Sequence, residues 1–223
     1  NALYIATPPS THLEIAKQCL ASGKFVYLEK PMTMNANEAR TLETFVKENH
    51  KVVVAHYRRS LPAFQKVKEL LDSNSIGKVL FADIQILQSR NPSIIAKTDD
   101  NWRLKPETSG GGYFHDIGPH QIDLMLHYFG NIKNSQGFST STQNNKVADI
   151  VNGIIKFKNG ILFRGIWNFI ASEKDVKDEC KIYGENGTIT FSFYGEEVFL
   201  NTPNNEEVFS FKNPKHLQQP LIE

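Results

Sequence analysis

LYIATPPSTHLEIAKQCLASGKFVYLEKP, Leu3 to Pro31, sets the reading of everything after it. Leu3 to Ala6 is a short apolar run without alternation, the pattern of a buried parallel strand. Thr7-Pro8-Pro9-Ser10 ends it. Ser10 or Thr11 can cap a helix running to about Ser22, with Leu13, Ala16, Leu20 and Ala21 at helical spacing. Gly23 stops that helix. Phe25 to Leu28 is a second apolar strand, broken by Glu29-Lys30-Pro31. Asn35 or Asn37 then opens a helix to about Asn49, with Ala39, Leu42, Phe45 and Val46 inward, and Val52 to Ala55 makes a third strand. Strands alternating with helices over short connections imply a parallel sheet with right-handed crossovers.

Beyond Tyr57 the texture changes. A short helix over Phe64 to Leu71 follows Pro62, and Val79 to Leu87 reads as a long strand. From Phe138 onward strands and turns dominate: Ile150 to Phe157 and Ile161 to Phe169 flank Asn159-Gly160, a two-residue hairpin signal. Val176 to Tyr183, Thr188 to Phe193 and Glu197 to Leu200 continue a meander. The expected fold is therefore α/β: part of a doubly wound domain over residues 1–58, then an α+β domain over 59–223 built on a large, mainly antiparallel open sheet. Ile155, Phe157, Phe163, Trp167, Phe169 and Phe191 are the residues expected on that sheet's open face.

Composition excludes several classes. The 223 residues carry a net charge of +1, which offers no electrostatic footprint for nucleic acid or an anionic membrane. No run approaches the ~18 apolar residues of a membrane span. Cys19 and Cys180 are too few and too far apart for a disulfide framework or a zinc site, which favours a reducing, cytoplasmic setting.

The chemistry concentrates in GGGYFHDIGPHQIDLM, Gly110 to Met125. Asp116 and His120 stand four residues apart, on one face if helical. Pro119 after Gly118 places the expected helix start near Pro119, with Asp116 in or just before its first turn. A histidine can take a hydroxyl proton near neutral pH, and a carboxylate beside it orients the ring. His115 and His127 are rivals for that role. His120, Asp123 and His127 also raise a metal cluster, but they lack the separated spacing of a zinc site, and no metal is expected. Lys30 stands at the carboxyl end of the second strand, where open α/β sheets bind ligands. Trp102-Arg103 and Tyr57-Arg58-Arg59 are further polar candidates, Arg103 for bidentate contact to a substrate oxygen and the Arg58-Arg59 pair equally well as surface linkers. No G-x-G-x-x-G, Walker loop, G-x-S-x-G or H-E-x-x-H occurs.

The order Ala6-Thr7-Pro8, His12, Gly23-Lys24, Glu29-Lys30-Pro31, Arg58-Arg59, Trp102-Arg103, then Gly110 to Met125, closely resembles the Gfo/Idh/MocA oxidoreductases. That resemblance implies an N-terminal Rossmann domain binding NAD or NADP and a C-terminal α/β domain with an open sheet. It implies Lys30, Asp116 and His120 as catalytic residues, with His120 the general acid/base. Ala6, Thr7, Pro8, His12, Glu29, Lys30 and Pro31 fall on cofactor-side positions, and Tyr57, Trp102, Arg103 and His120 on substrate-side ones. The implied activity is hydride transfer between the nicotinamide and a secondary hydroxyl of a sugar, cyclitol or polyol. A glycosidase that oxidises transiently and a non-catalytic nucleotide-sensing or scaffold protein are the alternatives. Homodimers or homotetramers through the C-terminal sheet are expected. The G-x-G-x-x-G turn that the family carries is absent from these residues, so two upstream β-α units (~60 residues) and a closing C-terminal element are expected outside the chain, and the 223 residues alone are expected to be inactive.

Overall fold

The structure, a computed structural model, describes residues 2–48, 51–96, 100–142 and 146–223. The chain opens with β1 (Ala2–Ile5), α1 (Pro9–Ala21), β2 (Phe25–Leu28), α2 (Ala36–Phe45) and β3 (Val52–Val54). The strands pair in parallel in the order β1-β2-β3, with Ile5 beside Leu28 and Leu28 beside Val54. Ile5, Val26 and Leu28 pack with Ala16, Cys19 and Leu20 of α1 and Leu42 of α2 into one core. The strands were expected to be buried on both faces. Among the described residues that cover is incomplete: Leu3, Tyr4, Phe25 and Val53 are exposed.

Both helix starts have local causes. Asn35 accepts from the N–H groups of Asn37 and Glu38, and Glu38 accepts from the N–H of Met34, so the first turn of α2 is closed from both sides. The helix ends at Phe45, short of the expected Asn49, because Val46 is extended. In α1 neither Ser10 nor Thr11 is the cap. Pro9 occupies the first turn after an extended Pro8, and the Thr11 hydroxyl bonds instead to Thr7 Oγ1 (2.7 Å) and Pro8 O (2.9 Å).

The second half contains α3 (Pro62–Asp72), β4 (Val79–Leu87), α4 (Pro106–Ser109), α5 (Gly112–Phe129), β5 (Ile132–Thr140), β6 (Ile150–Phe157), β7 (Leu162–Asn168), β8 (Lys177–Gly184), β9 (Gly187–Phe191), β10 (Glu197–Thr202), β11 (Asn205–Ser210) and α6 (Gln219–Ile222). Eight strands form one sheet in the order β11-β10-β9-β8-β4-β7-β6-β5, antiparallel throughout except for the parallel β4–β7 pair. Between β6 and β7, Gly160 has φ +94° and Phe157 N–H bonds to Ile161 O (2.9 Å). Asn159 keeps negative φ, so the connection is longer than the expected two-residue turn, with glycine taking the left-handed position.

The residues expected on the open face of this sheet are on its closed face. Phe157, Phe163, Trp167, Phe169 and Phe191 are each at most 2% exposed, and Ile155 is buried too. Side chains alternate along a strand, and the opposite phase faces outward: Ile154, Leu162, Phe81, Phe199 and Val208 are all exposed. The inner face packs on helices. Trp167 Nε1 donates to Gln121 of α5 (3.2 Å), Tyr128 of α5 donates to Phe64 O (3.0 Å), and the Phe64 ring meets Phe191 and Phe193.

α5 starts earlier than expected. Gly110 (φ +85°) and Gly112 (φ +76°) turn the chain, and Ser109 Oγ accepts from the N–H groups of Gly111 and Gly112. Pro119 lies inside the helix, not at its start, so Asp116 is a helical residue. The contacts divide the chain into two compact units. The segments ending at His56, Pro119 and Ala148 form one; Tyr57–Ala96, His120–Thr142 and Asp149–Glu223 form the other.

Candidate active site

The first unit carries a cluster around the carboxyl ends of β1 and β2. Ala6 and Thr7 follow β1, and Pro8 leads into α1. His12 of α1 is fully buried; its Nε2 lies 2.7 Å from Thr7 O and its Nδ1 3.0 Å from Pro31 O. One ring therefore ties the loop after β1 to the loop after β2. The Glu29 carboxylate accepts from Tyr4 OH (2.6 Å) and from the Lys30 N–H (3.1 Å). The Lys30–Pro31 bond is cis.

Lys30 Nζ donates to the backbone oxygen of Asp116 (2.9 Å) and forms an ion pair with Asp116 Oδ1. Arg103 Nε donates to the other carboxylate oxygen at 2.7 Å, with its guanidinium over the Trp102 ring. The three charged side chains are 13–15% exposed. Burial alone would raise the Asp116 carboxyl. Lys30 and then Arg103 outweigh it and hold the group below its ordinary value. Asp116 is thus a fixed anion between two cations. Lys30 has three N–H donors and spends two on Asp116, leaving one for another oxygen.

His115, the rival candidate, has a packing role. A Cβ on Gly110 would press on its ring and on Met34 O, and its Nε2 stands 3.4 Å from Thr33 O. Burial, the largest influence, pulls its pKa below the usual value against the opposing Thr33 carbonyl and Asp116.

In the second unit His120 is 4% exposed, and the Tyr57 ring meets it edge-on at 5.2 Å with 70° between planes. Tyr57 opens a 3-10 turn, Tyr57–Ser60. Arg59 donates from Nε to Asp123 Oδ2 (2.7 Å) and from Nη2 to Oδ1. That bond raises the Arg59 pKa further, against burial. Arg58, a surface linker in one sequence reading, is 6% exposed and donates to Phe193 O. Asp123, weighed above as a metal ligand, is held by Arg59. The sequence pointed to Tyr57 and His120 separately but not to their contact. Arg59 standing two residues after Tyr57, and Asp123 three after His120, was the available signal.

A family model described as an oxidoreductase family with an NAD-binding Rossmann fold matches residues 1–57, and the GFO/IDH/MocA C-terminal domain model matches residues 64–190. An oxidoreductase of Formosa agariphila is 55% identical over 225 residues, covering 100% of this chain and 69% of that protein. The chain belongs to the Gfo/Idh/MocA oxidoreductase family. A second relative, the NADP+-dependent scyllo-inositol 2-dehydrogenase of Bacillus subtilis, is 34% identical over 129 residues, 57% of this chain and 34% of its own length. Among solved structures, an inositol dehydrogenase homologue of Azotobacter vinelandii complexed with NAD+ has the same fold at a TM-score of 0.82 and 17% identity, over 94% of this chain and 56% of that one. The chain therefore spans about a third to two-thirds of the length of these relatives.

The residues present fit part of the fold that binds such a cofactor. Two loops leave adjacent parallel strands at their carboxyl ends, where doubly wound sheets bind ligands. His12 ties them together, and they present Thr7, Glu29 and Lys30. The G-x-G-x-x-G turn that holds a pyrophosphate is not among the 223 residues.

Proposed function

We propose that the protein containing this chain oxidises or reduces a secondary hydroxyl of a sugar, cyclitol or related polyol with NAD or NADP. The observation that carries this reading is the buried Lys30–Asp116–Arg103 cluster at the carboxyl end of β2, with His120 one turn beyond Asp116 on α5. The bound nicotinamide supplies the hydride acceptor or donor. His120 takes the hydroxyl proton as the carbonyl forms and returns it in the reverse direction. Lys30 gives its remaining N–H to the substrate oxygen and stabilises the charge developing there. Asp116 keeps Lys30 in place, and Arg103 holds the second carboxylate oxygen so that Asp116 cannot swing away. Ala6, Thr7, Pro8, His12, Glu29 and Pro31 shape the cofactor side, and Tyr57, Trp102 and Arg103 line the substrate side.

The test uses the full-length protein with scyllo-inositol, myo-inositol, D-xylose and D-glucose, each with NAD+ and NADP+, and follows nicotinamide reduction. Activity on at least one polyol, lost in both His120→Ala and Lys30→Ala, supports the reading. Cleavage of a chromogenic glycoside without net nicotinamide reduction would favour a glycosidase instead. Wild-type turnover in His120→Ala would remove His120 from the mechanism.

A further inference from the structure

We propose that Arg59 and Asp123 are positioning residues for His120, acting through Tyr57. The proposal rests on the reading of His120 as the proton carrier. His120 must present one ring nitrogen to the substrate, so whatever limits rotation of its ring matters to the reaction. The Tyr57 ring stands edge-on to it at 5.2 Å. Tyr57 itself belongs to a four-residue 3-10 turn, closed by Leu61 N–H to Arg58 O at 3.1 Å. Such a turn is a weak element with poor hydrogen-bond geometry, and its position depends on what grips it.

Two arginines grip it, each on a different partner. The Arg58 guanidinium donates to Phe193 O and lies 4.4 Å from the Tyr194 ring centre and 5.7 Å from that of Tyr57. Arg59 reaches α5 and makes a two-pronged contact with both oxygens of Asp123. Two parallel N–H bonds fix orientation as well as distance, which a single ammonium contact does not. Asp123 stands three residues after His120, about 4.5 Å along the helix axis and on the same face. The fork thus sets the height of the Tyr57 turn above α5 at the level of His120. The Arg59 side chain is 41% exposed. The Asp123 side chain is only 9% exposed, so Arg59→Ala leaves a buried carboxylate without this arginine and lowers stability. Asp123→Asn removes that charge together with the ion pair, and should disturb the His120 ring far more than the melting temperature. That separation distinguishes positioning from general structural support.

The readout is the ring resonances of His120 in the full-length protein labelled at histidine, assigned with His120→Gln. Tyr57→Ala removes the ring current of Tyr57 and shifts them. Arg59→Ala and Asp123→Asn should shift them in the same direction, with Arg59→Lys intermediate, and Arg59→Ala should add nothing in the Tyr57→Ala background. On a polyol that the wild type turns over, Arg59→Ala should lower kcat about tenfold, with the KM for cofactor unchanged. His120 resonances that stay at their wild-type positions in Arg59→Ala, or shifts that add to those of Tyr57→Ala, would overturn the proposal. If Arg59→Ala does not fold, Asp123→Asn, which keeps the side-chain volume, decides by the same criterion. Full turnover in His120→Ala would overturn the catalytic reading instead, leaving the resonance result to be judged by itself.

Discussion

Replacing Asp116 with asparagine tests the charge arrangement most directly. The substitution keeps the shape and one acceptor oxygen but removes the anion that Lys30 and Arg103 share. Both cations are at least 85% buried by side-chain exposure, so water replaces little of what is lost. Removing one partner of a buried ion pair costs about 3–5 kcal/mol, and the retained acceptor puts Asp116→Asn near the lower end, about 3 kcal/mol. At ~2–4 °C per kcal/mol for a protein of this size, the melting temperature should fall by about 6–12 °C at neutral pH. The pH dependence has a definite sign. The folded pKa of Asp116 is depressed below its unfolded value, so its contribution is complete above the ordinary carboxylate range and is lost as pH falls through the folded pKa. Calorimetric scans of wild type and variant should therefore differ by a constant amount from neutral to mildly acidic pH. The gap should close in stronger acid, where the wild type also carries a neutral Asp116. A fall of less than about 2 °C at neutral pH, below one kcal/mol on the same scale, would refute the buried-anion reasoning. So would a gap that does not narrow in acid.

Three other outcomes are expected. His120→Ala should lower turnover ~10²-fold or more, the usual worth of general acid–base catalysis, while cofactor affinity measured by titration stays at the wild-type level. Gly184→Ala should destabilise by about 1–3 kcal/mol, as overpacking does, because its Cβ would sit on the Ile76 backbone carbonyl, which also accepts from Asn186 N–H; a wild-type urea midpoint would show that the backbone there yields freely. The exposed apolar residues on the outer sheet face, Phe81, Ile154, Leu162 and Phe199 among them, should drive self-association. Ile154→Asp with Phe199→Asp should then shift sedimentation toward the monomer, and a wild type that is already monomeric at micromolar concentration counts against the interface.

The parallel β-α-β part was legible because its signals are local: short apolar runs, Asn35 as a cap, and Pro and Gly at the breaks. The start of α5 was not. Gly118-Pro119 looks like a beginning, yet the start is set by two left-handed glycines and a serine hydroxyl upstream, and Pro119 is carried inside a helix that packing holds together. The phase of the large sheet was misread for a different reason. Its strands bear large apolar residues on both faces, Phe163 inward and Leu162 outward, so alternation alone could not select the core side. At the site, the spacing of Asp116 and His120 was visible in the sequence. The contact of Lys30 with Asp116 joins residues 86 apart, and no local pattern encodes it.

The parallel pairing of β4 with β7 bears on how the protein is made. β4 is the first strand of its sheet to leave the ribosome, yet both its neighbours come much later: Phe81 awaits Leu162 on one side and Tyr183 on the other. Roughly 100 residues must follow before both ladders can close, and at ~5–20 residues per second that takes about 5–20 s. Throughout that interval Ile84 and Ile86, wholly buried in the finished fold, belong to a strand with two open edges. Unpaired edges of this kind recruit other chains, and pairings distant in sequence form slowly. Synthesis at high concentration should therefore favour aggregates seeded at β4, and slower elongation or a chaperone that shields extended apolar segments should raise the soluble yield more than added stability in the finished protein would.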